Sequence, residues 1–392
     1  MINFPYSSNM SISCSSFAPS NGTKEYFITV NPEDGLSLSE QLSSASKLYK
    51  SRLAELRLDL TTCVYINIYI SDAINDEGII RGSSFFKNLH ENKIAVSILQ
   101  LPPMFSKVAI IAYHVVSESM LRKEAISLDN GHGTVVLISN NIYTCYFLKG
   151  FTAADSLSAE DQTKNLLNKI SSFCKSREIP YTNIVRTWIY LRDINRDYLD
   201  MAESRREVFS NWGLSEKDKF PASTGIGGRD KNPQNLILMD AIIIGGIKEK
   251  QIQRMETMTH MSHAISYGVT FERGLKIRYG DRDHLYISGT ASIDINGNVM
   301  HRADILKQTE RTLENIRALL EESSSSFQNL VYLVIYLKDP ANAEIVNRYL
   351  NASLPEHIPF ILLQADICRQ EWLIEIEGMA ISKSHNPLYN DF

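Results

Sequence analysis

The sequence predicts a mixed α/β (α+β) fold in which one unit occurs three times along a chain of 392 residues. Three observations carry that prediction. A segment of helical pattern opened by a glutamine runs into an apolar strand, and this order occurs at Gln41, Gln162 and Gln308. The strand ends at an aspartate 31 residues after the glutamine in every copy: Asp72, Asp193 and Asp339. Each copy then closes on a further apolar strand. Identical spacing in three places, each bridging a helix to a strand, marks an internal repeat.

The third copy is the most regular. Leu306, Thr309, Leu313, Ile316 and Leu320 recur at helical spacing and give one buried face. The serine run Ser323 to Ser326 stops that helix. Leu330 to Leu337 is short, apolar and rich in β-formers, so it reads as a central strand, and a second helix follows around Ala343 to Leu350. In the second copy Leu166, Ile170 and Phe173 share a helix face, and the strand ends in Tyr190-Leu191-Arg192-Asp193. The first copy has a strand ending in Tyr69-Ile70-Ser71-Asp72. The closing strands lie near 107–115, 235–244 and 372–381. A single sheet of this kind leaves an apolar face bare, so the three copies are expected to pack those faces together. Weak patterning over 116–133 and polar residues over 247–262 set the boundaries. The chain divides into a polar arm (1–22), a degenerate first unit (23–130), a second unit (131–250) and a third (251–392).

Composition narrows the function. Apolar residues make up 44% of the chain and charged residues 22%, ordinary values for a globular protein. A formal charge of -5 leaves no basic footprint and argues against nucleic acid as a partner. The first residues lack a basic segment followed by a long apolar run, so they read as a mobile polar arm without a signal peptide. No run of about 18 apolar residues occurs, so no membrane partner is expected. Cys14, Cys63, Cys145, Cys174 and Cys368 are scattered and lack CxxC spacing. That pattern argues against disulfides and structural zinc and for a cytoplasmic protein. No phosphate loop or nucleotide fingerprint follows the Gly227-Gly228 and Gly245-Gly246 pairs, which read as turns. Neither a cofactor nor a metal is expected.

The closing strand Ile374-Glu375-Ile376-Glu377-Gly378-Met379-Ala380-Ile381 resembles the ending of the RidA/YjgF family, whose members are homotrimers with sites between subunits. Three such units in one chain imply a covalent pseudo-trimer of chorismate mutase-like architecture, a monomer or weak homo-oligomer as a whole. RidA imine deaminases carry an Arg in the segment F-P-A-R-S. Here the second copy has Phe220-Pro221-Ala222-Ser223-Thr224, the third Ile358-Pro359-Phe360 and the first Ile94-Ala95-Val96-Ser97, so the Arg is absent from all three. Phe220 to Gly227, Ser288 to Ile293 and Ala365 to Glu377 are similar to the chorismatases, together with Arg186-Thr187-Trp188 and His301, Asp304 and Gln308. The similarity covers residues 140–383. Chorismatases are RidA-like enzymes that release pyruvate from chorismate, so the resemblance implies a small-molecule substrate, chorismate. The stretch Tyr267 to Gly274 is shorter than the family's usual approach to its first strand.

Strand alternation points Ile374 and Ile376 one way and Glu375 and Glu377 the other. From pattern alone, two carboxylates on one strand face are most often solvated. The corresponding positions of the other copies hold Leu238 and Ala109, however, so this face is apolar or small where it has no task. The resemblance puts the catalytic acid at Glu375 and implies one site per chain. A carboxyl between packed sheets has its charged form disfavoured and stays protonated near neutral pH.

Cys368 reads either as a small buried hydrophobe or, by resemblance, as a pocket residue that helps set the product. Arg369 suits a substrate carboxylate or a structural pairing with Asp366 or Glu371, and Arg273 carries the same two readings. Tyr267 is a substrate-binding candidate by resemblance alone. Ser223, Thr224 and Gly225 offer a hydroxyl and backbone amides to an anion, or form a tight turn. Trp188 reads as core and His301 as a structural group. The resulting expectation is a chorismatase-type lyase or hydrolase that protonates the enolpyruvyl group and yields a hydroxybenzoate, with 3-hydroxybenzoate favoured, or a dihydroxy-cyclohexadiene acid. The rivals are a RidA-like deaminase or ribonuclease and a metabolite-binding regulator without catalysis.

Overall fold

The computed structural model describes residues 11–19, 22–117, 121–126, 133–153, 158–215, 217–257, 259–261 and 270–392. The first unit runs β1 (Ser11–Phe17), β2 (Lys24–Asn31), α1 (Leu38–Glu55), β3 (Cys63–Ile70), α2 (Ala73–Gly82), α3 (Ser84–Glu91), β4 (Ala95–Gln100) and β5 (Val108–Val116). The second runs β6 (Arg122–Ile126), β7 (Thr134–Ser139), β8 (Thr144–Thr152), α4 (Ala159–Lys175), β9 (Ile184–Leu191), α5 (Ile194–Asn211), β10 (Ala222–Gly227) and β11 (Ile237–Gly245). The third runs β12 (Ile252–Arg254), β13 (Gly274–Arg278), β14 (Arg282–Thr290), α6 (Ile305–Glu322), β15 (Leu330–Leu337), α7 (Ala343–Ser353), β16 (Phe360–Gln364) and β17 (Ile374–Lys383). The sheets are ordered β1-β2-β5-β3-β4, β10-β9-β11-β8-β7-β6 and β12-β13-β14-β17-β15-β16. Within each, the last-but-one strand of the unit pairs in parallel with the strand before it in the chain (β4 with β3, β10 with β9, β16 with β15) and the other neighbours are antiparallel.

Besides the short β12, which falls in the polar boundary 247–262, two strands lie where the sequence pattern gives no strand. Residues 11–17, read as part of the polar arm, form β1 on the edge of the first sheet. Residues 122–126, placed in the first unit, form β6 on the edge of the second sheet. Edge strands bury little, so neither needs an apolar alternation.

The spacing of 31 residues has a physical cause. Gln41, Gln162 and Gln308 are buried at the same place in α1, α4 and α6. Each Oε1 accepts from a backbone amide before the closing strand: Lys107 N at 2.7 Å, Leu236 N at 2.9 Å and Leu373 N at 2.9 Å. At the other end Asp72 and Asp193 cap α2 and α5, accepting from the Ile74 and Arg196 amides. Asp339 accepts from the Ala341 amide in the short turn that leads into α7. One residue more or fewer between clamp and cap would cost one of the two, each worth about 1 kcal/mol or more.

The helices cover the outer face of each sheet, and three separate apolar cores fill those outer layers. The inner faces share one core, in which Phe27, Tyr65, Phe147, Trp188, Tyr286 and Tyr332 come from all three units. Tyr69, Tyr190 and Tyr336, the repeated tyrosines, are fully buried there within electrostatic reach of one another. The units close in a ring: β4 lies against β8, β10 against β14, and β16 against β2. Each contact therefore sets the parallel edge strand of one unit on a long strand of the next.

Candidate active site

The contact of β10 with β14 opens a cavity of about 270 Å³ between the second and third units. Glu375, 5% exposed, projects into it from β17. Its cross-strand partner is Tyr336, as Leu238 opposes Tyr190 and Ala109 opposes Tyr69 in the other sheets. That register makes the three positions equivalent, so one copy in three carries the acid. The matching contact of β4 with β8 is closed by a buried ion pair, Lys149 Nζ to Asp240 Oδ2 at 3.0 Å, with the Ser97 hydroxyl donating to Asp240 at 2.7 Å.

Burial, and the negative Glu377 two residues on, push the Glu375 carboxyl up to about 8, against the opposing pull of Arg186 and Arg273. Among the described residues Glu375 has no hydrogen-bond partner, and its carboxyl faces the cavity. Gly289 on β14 makes room for it: a Cβ there would lie 1.9 Å from Oε1. An acid protonated near neutral pH and open to a cavity is equipped to donate a proton.

The cavity also gathers Ser223, Gly225, Arg273, Cys368 and Arg369 from the residues singled out in the sequence. Ser223 Oγ accepts from Thr187 Oγ1 at 2.9 Å and lies 3.4 Å from Arg205 Nη1. The segment is a strand, so the tight-turn reading is corrected. Its amides are not all offered to a ligand either, because Ser223 N donates to Ser288 Oγ at 2.9 Å. Thr224 does not line the cavity; its hydroxyl accepts from Arg186 Nη2 at 2.7 Å and Gly289 N at 3.0 Å. Tyr267 lies outside the described residues.

Arg369 donates to Gly297 O at 3.2 Å and sits over the Trp372 ring at 5.0 Å. Cys368 is pushed up to about 12, first by burial and then by Glu375, so it is a neutral thiol and no nucleophile near neutral pH. Trp188 and His301 take no part: Trp188 is core and donates to Glu377, and His301 is exposed in a turn.

Helix α5 supplies what the sequence pattern hides. Tyr198 and Met201 reach the wall beside Cys368 and Gly225, and the buried Arg205 and its neighbour Arg206 reach the cavity. A signal existed. Arg205 occupies the same helix face as Met201, Val208 and Phe209, where a charge has no place unless it has a partner. Arg205, Arg206, Arg273 and Arg369 surround an apolar floor of Phe271, Ala291, Ile293 and Trp372. That combination suits an anionic ligand with an apolar or unsaturated ring.

Comparison with known proteins bears on the family and the fold. The family model described as Endoribonuclease L-PSP matches residues 273–382. A RutC family protein of Pyrococcus abyssi is 30% identical over 100 residues, covering 24% of this chain and 76% of that protein. This chain belongs to the RidA-like (RutC) family. Within the RidA-like proteins it is similar to a 3-hydroxybenzoate synthase of Streptomyces hygroscopicus, 26% identical over 235 residues, which covers 54% of this chain and 67% of that enzyme. A chorismatase of the same organism is 25% identical over 226 residues, covering 53% of this chain and 64% of that enzyme. The alignments thus span about two thirds of those relatives' length. A chorismatase crystal structure superposes with a TM-score of 0.63 and 17% identity, covering 95% of this chain and 98% of that one, which shows the shared fold. The superposition covers nearly the whole chain, so the shared fold includes the first unit.

Proposed function

We propose that this chain converts chorismate, with Glu375 as the proton donor, and that the products are pyruvate and a ring acid. The observation that carries the reading is a buried carboxyl, held protonated, facing a cavity ringed by arginines. Chorismate is a dianion with an unsaturated ring and an enolpyruvyl ether. Arg273 and Arg369, with Arg205 and Arg206 added from α5, match its two carboxylates, and the Ser223 hydroxyl and Gly225 lie on the same wall.

The Glu375 O–H transfers its proton to the terminal methylene of the ether, and the enol oxygen's electrons form an oxocarbenium ion. In one route water adds to that carbon, and the hemiketal breaks into pyruvate and a dihydroxy-cyclohexadiene acid. In the other, the bond between ring and ether oxygen breaks, its electrons leave with pyruvate, and the ring loses a proton to become a hydroxybenzoate without consuming water. For 3-hydroxybenzoate, the neighbouring ring hydroxyl closes onto the vacated carbon and loses its proton, giving an epoxide; the oxygen's original ring bond then breaks, the oxygen regains a proton, and the ring proton is lost to restore aromaticity. The thiol of Cys368 beside the acid, and the similarity to a 3-hydroxybenzoate synthase, favour that product. The reaction requires an acid and no cofactor. One chain supplies all three units, so the active form is proposed to be a monomeric pseudo-trimer, and its five free thiols suit the reducing cytoplasm.

The test is product analysis. Purified protein incubated with chorismate is expected to release pyruvate and 3-hydroxybenzoate in equal amounts. A protein that binds chorismate without consuming it would instead be a metabolite binder, and turnover of 2-iminoacids in place of chorismate would make it a deaminase.

A further inference from the structure

The second carboxylate of β17 lies outside the cavity. Glu377 is 2% exposed, and its oxygens are filled: Oε2 accepts from Arg186 Nη2 at 2.7 Å, and Oε1 from Trp188 Nε1 at 2.8 Å and Tyr336 Oη at 3.1 Å. Arg186 belongs to the second unit and Glu377 to the third, so this ion pair crosses the same contact that forms the cavity. Arg186 is 1% exposed, with its guanidinium 4.5 Å over the Trp188 ring. The Nη2 that pairs with Glu377 also donates to Thr224 Oγ1 at 2.7 Å, and Thr224 Oγ1 accepts from Gly289 N at 3.0 Å. Gly289 is the residue against which the Glu375 carboxyl lies. One guanidinium thus holds both the charged neighbour of Glu375 and the wall beside it.

We propose that Arg186 is a positioning residue for the reaction: by locking Glu377 and the Thr224–Gly289 wall it assigns the proton of the carboxyl pair to Glu375. The inference rests on the reading of Glu375 as proton donor. Two carboxyls two residues apart on one strand face cannot both ionise cheaply away from water, and the proton goes to the one with fewer donors. Glu377 has three donors, one of them a guanidinium. Glu375 has none among the described residues. The other groups around Glu375 are Tyr336 across β15, Cys368 from the preceding loop, Tyr198 and Arg205 from α5, and Arg273 and Arg369 at the cavity. Burial holds Cys368 and the two tyrosines neutral. Arg186 also favours the charged form of Glu375 directly, but burial and Glu377 outweigh it.

The two members of the ion pair are expected to move the pH profile in opposite directions. Turnover needs protonated Glu375, so its alkaline limb reports loss of that proton. Glu377→Gln removes the neighbouring negative charge, and the limb moves to lower pH by about one unit. Arg186→Gln removes a positive charge felt by both carboxyls; the last proton leaves at higher pH, and the plateau falls because Glu377 now shares it. Thr224→Val cuts only the link to the wall, so kcat falls severalfold while the limb stays put. A purely structural role would lower activity in all three without moving the limb. Unmoved limbs in folded Glu377→Gln and Arg186→Gln, or shifts of the same sign, would overturn the proposal. Glu377→Gln keeps the size of the side chain and remains decisive if Arg186→Gln does not fold.

Infrared spectroscopy of the unliganded protein separates this inference from the function. The protonated-carboxyl stretch assigned to the pair is expected, at a pH about two units below the alkaline limb of the parent, to persist in Glu377→Gln and vanish in Glu375→Gln. That result in a protein inert toward chorismate would refute the function and leave the proton assignment standing. The reverse pattern would refute the assignment whatever the substrate.

Discussion

Gly289 lies so close to Glu375 that a single methyl group on its Cα would stand 1.9 Å from the carboxyl oxygen Oε1. The strand thus has a glycine where the acid turns into the cavity, and Thr224 fixes that glycine from behind. The backbone at Gly289 is not in the left-handed region, so alanine is allowed there by conformation. Gly289→Ala is expected to keep the fold and push the carboxyl from its place, lowering turnover about 10²-fold. Circular dichroism and pyruvate release check the two halves.

Glu375 weakens the fold as pH rises. Its carboxyl ionises near 4.5 in the unfolded chain and at about 8 in the folded one, so between those values the native state binds the extra proton. Stability contributed by that proton is present below about 4.5 and lost as pH climbs through about 8, at up to about 1.4 kcal/mol per unit. Glu375→Gln is expected to raise the melting temperature relative to the parent at pH 8 and to change it little at pH 4. Thermal melts at the two pH values measure it, and an equal shift at both would contradict the buried acid.

Much of this was legible from the residues. Leu330 to Leu337 is β15 without adjustment, because an apolar run too short for a typical helix and rich in β-branched and aromatic residues suits a central strand. The repeat was legible because buried Gln308 and capping Asp339 are tied to fixed points of the unit. The edge strands were not: the serine-rich residues 11–17 and the charged residues 122–126 bury too little to show a pattern. Glu375, Cys368 and Ser223 were found by resemblance and meet in one cavity. Arg205 was missed although it stands on the core face of α5 with Met201, Val208 and Phe209, because the charge was not weighed against that face. The fate of Glu377 was hidden for another reason, since its partner Arg186 sits 191 residues away in another unit.

The first and third units are joined by a second buried cluster. Glu25 accepts from Arg282 Nη1 at 2.5 Å, bonds His284 Nε2 at 2.9 Å and accepts from Tyr113 Oη at 2.6 Å. Burial alone would raise its carboxyl, but His284, Arg282 and Tyr113 outweigh that and hold it down at about 2. Its stabilisation is therefore present above pH 4.5 and lost as pH falls towards 2. Glu25→Gln is expected to cost about 1–3 kcal/mol at neutral pH, because Arg282 keeps Asp281 and Thr23 O but loses the carboxylate that ties it to the first unit. Urea unfolding measures the loss, and an unchanged midpoint would remove this cluster from the account.

Cys368 is expected to bias the product and not the rate of proton transfer. Its neutral thiol lines the cavity beside Glu375, and trimming it to a methyl group would leave more room for water there. A change of about 1.4 kcal/mol between two barriers alters a product ratio tenfold. Cys368→Ala is expected to release pyruvate still, with more of the dihydroxy acid at the expense of 3-hydroxybenzoate. Chromatography of both reactions decides it; the dihydroxy acid as sole product of the native protein would contradict the assignment.

The central claim is that Glu375 protonates the enolpyruvyl group of chorismate, and pyruvate release by the native protein and by Glu375→Gln measures it directly. Glutamine keeps the shape of the side chain and cannot give up a proton as an acid does. The account predicts steady pyruvate release by the native protein and a kcat lower by about 10²–10⁴-fold in Glu375→Gln, with the fold intact. Equal rates in the two proteins would contradict it.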